Sequence, residues 1–233
     1  MKRAPEACDA VRSEWLRRVE AEYHSAAITG QLAHWLIQLA APPVLIRLAL
    51  RIVADELRHA ELSARVYRAA GGTQQAALQR ERLELPRVGE RLEHDVTRVV
   101  VQTFCLGETA AVRLFHRLRK PCSVAVARAA LDRILRDEVR HRDFGWRALE
   151  WLLSLPDAAE RRVAIETELP GFVALLRANY AGDADLDAPP AAAEVTPATR
   201  AWGLMPRAEY RRAVEVCVER DLTPRFKRLG IAV

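Results

Sequence analysis

Lysine is nearly missing from this chain. It stands only at positions 2, 120 and 227, so the net charge of +5 rests almost wholly on arginine. Those arginines are spread along the sequence and interleaved with Glu and Asp at helix-pairing distances, which reads as a solvated helical surface. A pI near 9.3 would otherwise point to nucleic acid; a basic face for an anionic substrate or RNA is kept as the lesser alternative. Glycine is sparse, at 10 residues, and aromatics make up 6%, which disfavours a sandwich or barrel and favours packed helices. Cys8, Cys105, Cys122 and Cys217 show no C-x-x-C spacing, so neither a disulfide framework nor a zinc site is indicated. The start, MKRAPEACDA, lacks the apolar core of a signal peptide. The most apolar stretch, Leu32 to Ile46, is broken by His34, Gln38 and Pro42-Pro43, so no membrane span is expected and a cytoplasmic location is.

Half of the 233 residues are hydrophobic, enough for one sizeable core, and a single domain over 1–233 is the expectation. Helical periodicity predicts a helix from about Ala10 to Ala40, stopped by Pro42-Pro43, and a second from about Val44 to Ala70, ended by Gly71-Gly72. A polar stretch to Glu90 follows. A third helix is predicted over Arg91 to Arg119 and a fourth over Ser123 to Leu155. Two helix hairpins joined by one long crossover make an all-α bundle over about residues 11–155. Accessory helices are predicted over about Ala158 to Tyr180 and Pro206 to Arg228, with an Asp-, Ala- and Pro-rich loop from Ala181 to Pro197 between them.

Two strings repeat: Asp55-Glu56-Leu57-Arg58-His59 and Asp137-Glu138-Val139-Arg140-His141. In each, Glu and His lie three apart, about 60° of rotation and about 4.5 Å of rise on a helix, so both point the same way. The residues one turn back are Ile52 and Val53, and Ile134 and Leu135, which places each string on a core-facing stripe. A carboxylate there needs a partner or a cation. Glu108 lies among Val101, Phe104, Cys105, Ala111 and Val112 with no other charge on its inner face. Glu22 shares its face with Val19, Ser25, Ala26 and Thr29, and is favoured over its rival Glu20 because small residues continue that face. Four inward carboxylates, two neutral histidines and two divalent cations would balance in charge. Oxygen and imidazole donors suit iron or manganese.

The order Glu, Glu-x-x-His, Glu, Glu-x-x-His on four successive helices resembles the ferritin-like di-iron carboxylate proteins. The D-E-x-R-H context is similar to that of bacterial multicomponent monooxygenases and related oxidases. Glu22-Tyr23-His24-Ser25 and Leu106-Gly107-Glu108-Thr109 look like segments of small bacterial ferritin-like domain proteins. The resemblance implies that Glu22, Glu56 and His59 serve one metal and Glu108, Glu138 and His141 the other, with Glu56 and Glu138 able to bridge. It implies further that Asp55 and Asp137 each accept a hydrogen bond from the histidine of the opposite helix, with Arg58 and Arg140 anchoring those aspartates.

The function expected is a dimetal oxidoreductase, an oxygenase or oxidase holding two iron ions or a manganese and iron pair. It would use O₂ to hydroxylate, N-oxygenate or desaturate a small organic substrate, as a monomer or homodimer, with or without a separate reductase. Three alternatives stand beside it: a ferroxidase or peroxidase that handles iron, a tRNA-modifying hydroxylase, and a metal-free structural bundle. His24, His34, His94 and His116 have no partner at ligand spacing and are read as surface or packing residues, and Cys105 as a lining of the metal cavity.

Overall fold

The computed structural model describes residues 5–181 and 195–232, and these form helices joined by turns and loops, without a strand. Helix α1 (Asp9–Gln38) and helix α2 (Pro43–Ala69) form the first hairpin. Its turn is a Schellman motif, with Ala40 N–H bonded to Ile37 O at 3.0 Å and Ala41 N–H to Leu36 O at 2.9 Å. Ala40 adopts φ 51°, a left-handed conformation that glycine usually takes. The end of α2 repeats the motif with Gly71 in that place, at φ 85°.

The connection from Ala70 to Arg91 contains one 3-10 turn, Arg80–Leu83. It is pinned by Tyr67, whose hydroxyl accepts from Gln74 N–H at 3.0 Å, by Glu20, which accepts from Ala77 N–H at 3.0 Å, and by buried Asp95, which takes Val88 and Gly89 N–H.

The third rod corrects the sequence expectation of one α-helix over Arg91 to Arg119. It starts as helix α3 (Leu92–Val99), passes through a π-helical stretch (Val100–Glu108) and resumes as helix α4 (Thr109–Arg119). Helix α5 (Ala125–Leu152) returns along it. Beyond these lie helix α6 (Ala158–Ala181), the short helix α7 (Pro197–Ala201) and helix α8 (Arg207–Cys217), which a second π turn (Val218–Leu222) joins to helix α9 (Thr223–Arg228). The expected helix over Pro206 to Arg228 is therefore interrupted too, and α7 was not expected. Most of the predicted Ala181 to Pro197 loop lies outside the described residues.

Two apolar clusters divide the interior. One joins Leu32 and Leu36 of α1, Leu45 and Ile52 of α2, Val96 to Phe104 of the third rod, and Phe144 to Leu152 of α5. The other joins Val11 and Trp15, Val66 and Tyr67, Leu114 and Leu118, and Ala127 and Leu131, closed off by Trp202 and Met205. The order in which each rod meets them sets direction: α1 and α5 run one way, α2 and the third rod the other. Successive rods that run parallel require a connection that travels the length of the bundle, which is why the Ala70–Arg91 segment is long. Trp15 Nε1 and Arg18 Nη2 donate to the carbonyls of Trp202 and Gly203, both at 2.9 Å, and so tie the C-terminal segment to one end. Among the described residues no helix is long and apolar enough to cross a membrane.

Candidate metal centre

Between the two apolar clusters runs a polar waist, and Glu22, Glu56, His59, Glu108, Glu138 and His141 all lie in it, buried. Glu22 belongs to it and Glu20 does not, since Glu20 turns out to the crossover. Each Glu-x-x-His pair sits inside an α-helix, so both side chains leave the same face, as 3.6-residue winding requires.

The histidines point their Nδ1 atoms at the middle. Glu56 Oε2 is 3.1 Å from His59 Nδ1, and its other oxygen is 3.3 Å from His141 Nδ1. Glu138 mirrors it, with Oε1 3.6 Å from His59 Nδ1 and Oε2 3.4 Å from His141 Nδ1. Each of these carboxylates therefore spans both imidazoles. Glu22 Oε2 stands 3.7 Å from His59 Nδ1. Two groups of donor atoms result, each within 4.8 Å of one another: Glu22, Glu56, His59 and Glu138, and Glu56, Glu108 and His141.

This buried Glu and His cluster could hold metal, and its own chemistry fits that role. Glu138 Oε2 and His141 Nδ1 are buried and have no hydrogen-bond partner, a costly state for a polar atom unless something else binds it. The protons distribute accordingly. Burial, with Glu56 and Glu138 beside it, pushes Glu22 up to about 8 against the pull of His59. Burial and the same two carboxylates raise Glu108 well above the usual range. For His59, burial favours the neutral ring, but Asp137, Glu22 and Glu56 outweigh it and lift the group to about 12. Asp55, Glu138 and Glu56 likewise overcome burial and raise His141. Glu56 moves the other way, because the His141 and His59 rings beside it together outweigh its burial. Without a cation the centre therefore keeps protons on Glu22, Glu108 and both rings.

The surrounding shell is partly as the resemblance implied. His59 Nε2 donates to Asp137 Oδ2 at 3.2 Å, while His141 Nε2 stays 3.7 Å from Asp55 Oδ2. Arg140 donates to Asp55 at 3.2 Å and also to Asp137, linking α2 and α5. Arg58 comes only to 3.5 Å from Asp55. The firm anchor of Asp137 is a residue the sequence reading passed over: Arg133, whose Nε donates at 2.6 Å. Its signal was present, because the repeat is longer than five residues. Arg51 to His59 reads R-I-V-A-D-E-L-R-H and Arg133 to His141 reads R-I-L-R-D-E-V-R-H.

Three further residues were missed or misplaced. Ser25 donates to Glu56 Oε1 at 2.8 Å. Tyr180 of α6 packs against both apolar clusters, with Glu108, Glu138 and Glu22 close enough to raise its pKa together with burial, the largest cause; no local pattern marks it. Cys105 does not line the cavity. It is buried in apolar packing, and the charges bearing on it are Arg225 and Glu150. The reason is the π stretch: i→i+5 bonding widens the turn, so a residue three before Glu108 no longer shares its face. His34 and His116 are exposed and His94 half-buried, all apart from the cluster, as is exposed His24.

No family model, curated protein or solved structure matches this chain.

Proposed function

We propose that this chain is a ferritin-like dimetal carboxylate protein, an oxygenase or oxidase that uses O₂ to oxidise a small organic substrate. The observation that carries the reading is the double span, in which Glu56 and Glu138 each reach the Nδ1 atoms of both histidines. Two carboxylates shared between two imidazoles form a cradle for two cations rather than one. Glu22 and Glu108 then serve as end ligands of the His59 and His141 positions, and the parallel course of α2 and the third rod supports the ferritin-like bundle.

When bound, a reduced iron pair, or manganese with iron, supplies the electrons for O₂ chemistry. The chain's own part is geometric and protonic. Asp137 accepts the hydrogen bond of His59 Nε2–H, which keeps the proton on Nε2, leaves Nδ1 free to ligate and fixes the tautomer. Ser25 orients Glu56 through its hydroxyl. Phe104 and Phe144, edge to face at 5.0 Å, and Val101 form the dry wall on one side of the waist and keep water from the reacting centre. The accessory helices add Tyr180 at the rim.

The test is anaerobic loading with ferrous iron, then O₂, with the optical change followed in the presence of candidate substrates. Two iron equivalents per chain and a transient whose decay a substrate accelerates support the proposal. Two equivalents with no substrate response, in a large multi-subunit shell, favour iron handling instead; no bound metal rejects both.

A further inference from the structure

A cavity of about 50 Å³ lies between the third rod and α6, and it shares no residue with the Glu and His cluster. Its walls are largely apolar: Val101 of the π stretch and Ile165 and Phe172 of α6 are all buried. Arg98 and Glu168, 34% and 33% exposed, pair at 2.5 Å and form its outer edge. The Arg98 guanidinium also lies 5.4 Å from the centre of the Phe172 ring. Deeper in stands Arg161, only 2% exposed, which forms no ion pair among the described residues. Its Nε donates to Leu152 O at 2.9 Å and its Nη2 to Pro156 O, so the guanidinium closes the C-terminal end of α5, where free carbonyls and the helix dipole favour a cation. That use leaves Nη1 over. It has no hydrogen bond among the described residues, yet it is not sealed from solvent as the unpaired Arg18 Nη1 and Arg140 Nε are, so it opens into the cavity that Arg161 lines. A guanidinium donor left without an acceptor in an apolar cavity is costly.

We propose that this cavity is a binding site for a small aliphatic monocarboxylate, its carboxylate held by Arg161 Nη1 and Arg98 and its short tail laid against Val101, Ile165 and Phe172. The charge fits. Arg98 and Arg161 against Glu168 leave the lining at +1, which one carboxylate balances and a dianion such as phosphate would exceed. The geometry fits too, because a guanidinium presents its donors in the plane that a carboxylate matches. The apolar walls give an alkyl tail a place that an inorganic anion would leave empty. Size sets the tail: a water needs roughly 10–15 Å³ measured in this way, so the space equals about three to five waters, or a carboxyl group with about one to three further carbons. The site is independent of the dimetal reading.

The experiment is calorimetry and amide NMR with propionate on the full chain, metal-free and after loading with metal. Saturable binding of equal affinity in both forms is expected, with shifts gathered on Arg98, Arg161 and Ile165. Propionamide, which has the same shape without the charge, binds at least about 10-fold more weakly. Ala164, half-buried on the cavity wall, provides a variant that leaves both arginines in place: Ala164→Leu fills the space and removes binding, with Tm and metal content unchanged. Glu168→Gln takes away the one acidic group in the lining and tightens binding. Arg161→Lys, which gives up the fork, weakens it; should that variant fail to fold because α5 loses its closure, Ala164→Leu and Glu168→Gln decide. Equal affinity for propionamide, binding retained in Ala164→Leu, or no propionate bound at all overturns the proposal. So does binding seen only in the loaded protein, which would put the carboxylate on the metals.

Discussion

Glu56 Oε1 and His141 Nδ1 meet 3.3 Å apart across the α2–α5 interface, nearly as close as Glu56 lies to the histidine of its own helix. A single carboxylate thus answers to both halves of the waist. Glu56→Ala should lower bound iron from two equivalents per chain to one or fewer, measured by elemental analysis after anaerobic loading. Full retention of two ions would show that the span is incidental.

Proton release should accompany loading. At pH 7 the protons on Glu22 and Glu108 and one from each ring must leave, about four per pair of ions, countable by titration in unbuffered solution.

The same shifts fix the sign of the pH dependence. Glu22 holds its proton to about 8 when folded but only to its ordinary value of 4.5 when unfolded, so the metal-free fold loses stability as pH rises across that window. His59, raised from 6.5 to about 12, contributes stability that is complete below 6.5 and is lost as pH climbs toward 12. Metal reverses the trend because it binds the deprotonated donors. Thermal melts from pH 5.5 to 8.5 should show the metal-free Tm falling and the gap to the loaded protein widening. A gap that narrows contradicts the proton assignment.

Gly145 lets α5 approach the π stretch. A Cβ there would stand 2.5 Å from Phe104 Cβ and 2.8 Å from its carbonyl carbon, so the third rod would have to move. Gly145→Ala should destabilise by about 1–3 kcal/mol and weaken metal binding at the Glu108 end, with denaturant unfolding and metal titration as the two readouts.

The two Schellman turns place different residues at their left-handed position. Ala40 holds φ 51° where Gly71 holds φ 85° at the matching position. Ala40→Gly should stabilise and Gly71→Ala should destabilise, each by about 1 kcal/mol, with metal content unchanged. A change in metal content on either substitution would show that the turn governs the site.

Much of the centre could be read from residue spacing. Glu56 and His59, like Glu138 and His141, share a face because α-helical winding returns after 3.6 residues, and the punctuation at Pro42-Pro43, Gly71 and Pro121 sets the rod ends within a few residues. Arg133 was readable as well, four residues before Asp137, had the repeat been followed beyond its charged core. Cys105 does not keep the face that α-helical winding would give it, because it lies within the π stretch.

The sequence by itself determined that the chain is helical, where its rods begin and end, and that two Glu-x-x-His pairs face inward, because these depend on periodicity and turn chemistry within a few residues. Only the tertiary structure decided that Glu22 rather than Glu20 enters the waist, that Tyr180 reaches its rim, and that Asp137 is clamped while Asp55 is not. Those outcomes depend on how helices distant in sequence settle against one another, and side chains many residues apart compete there for the same few oxygens and the same buried space.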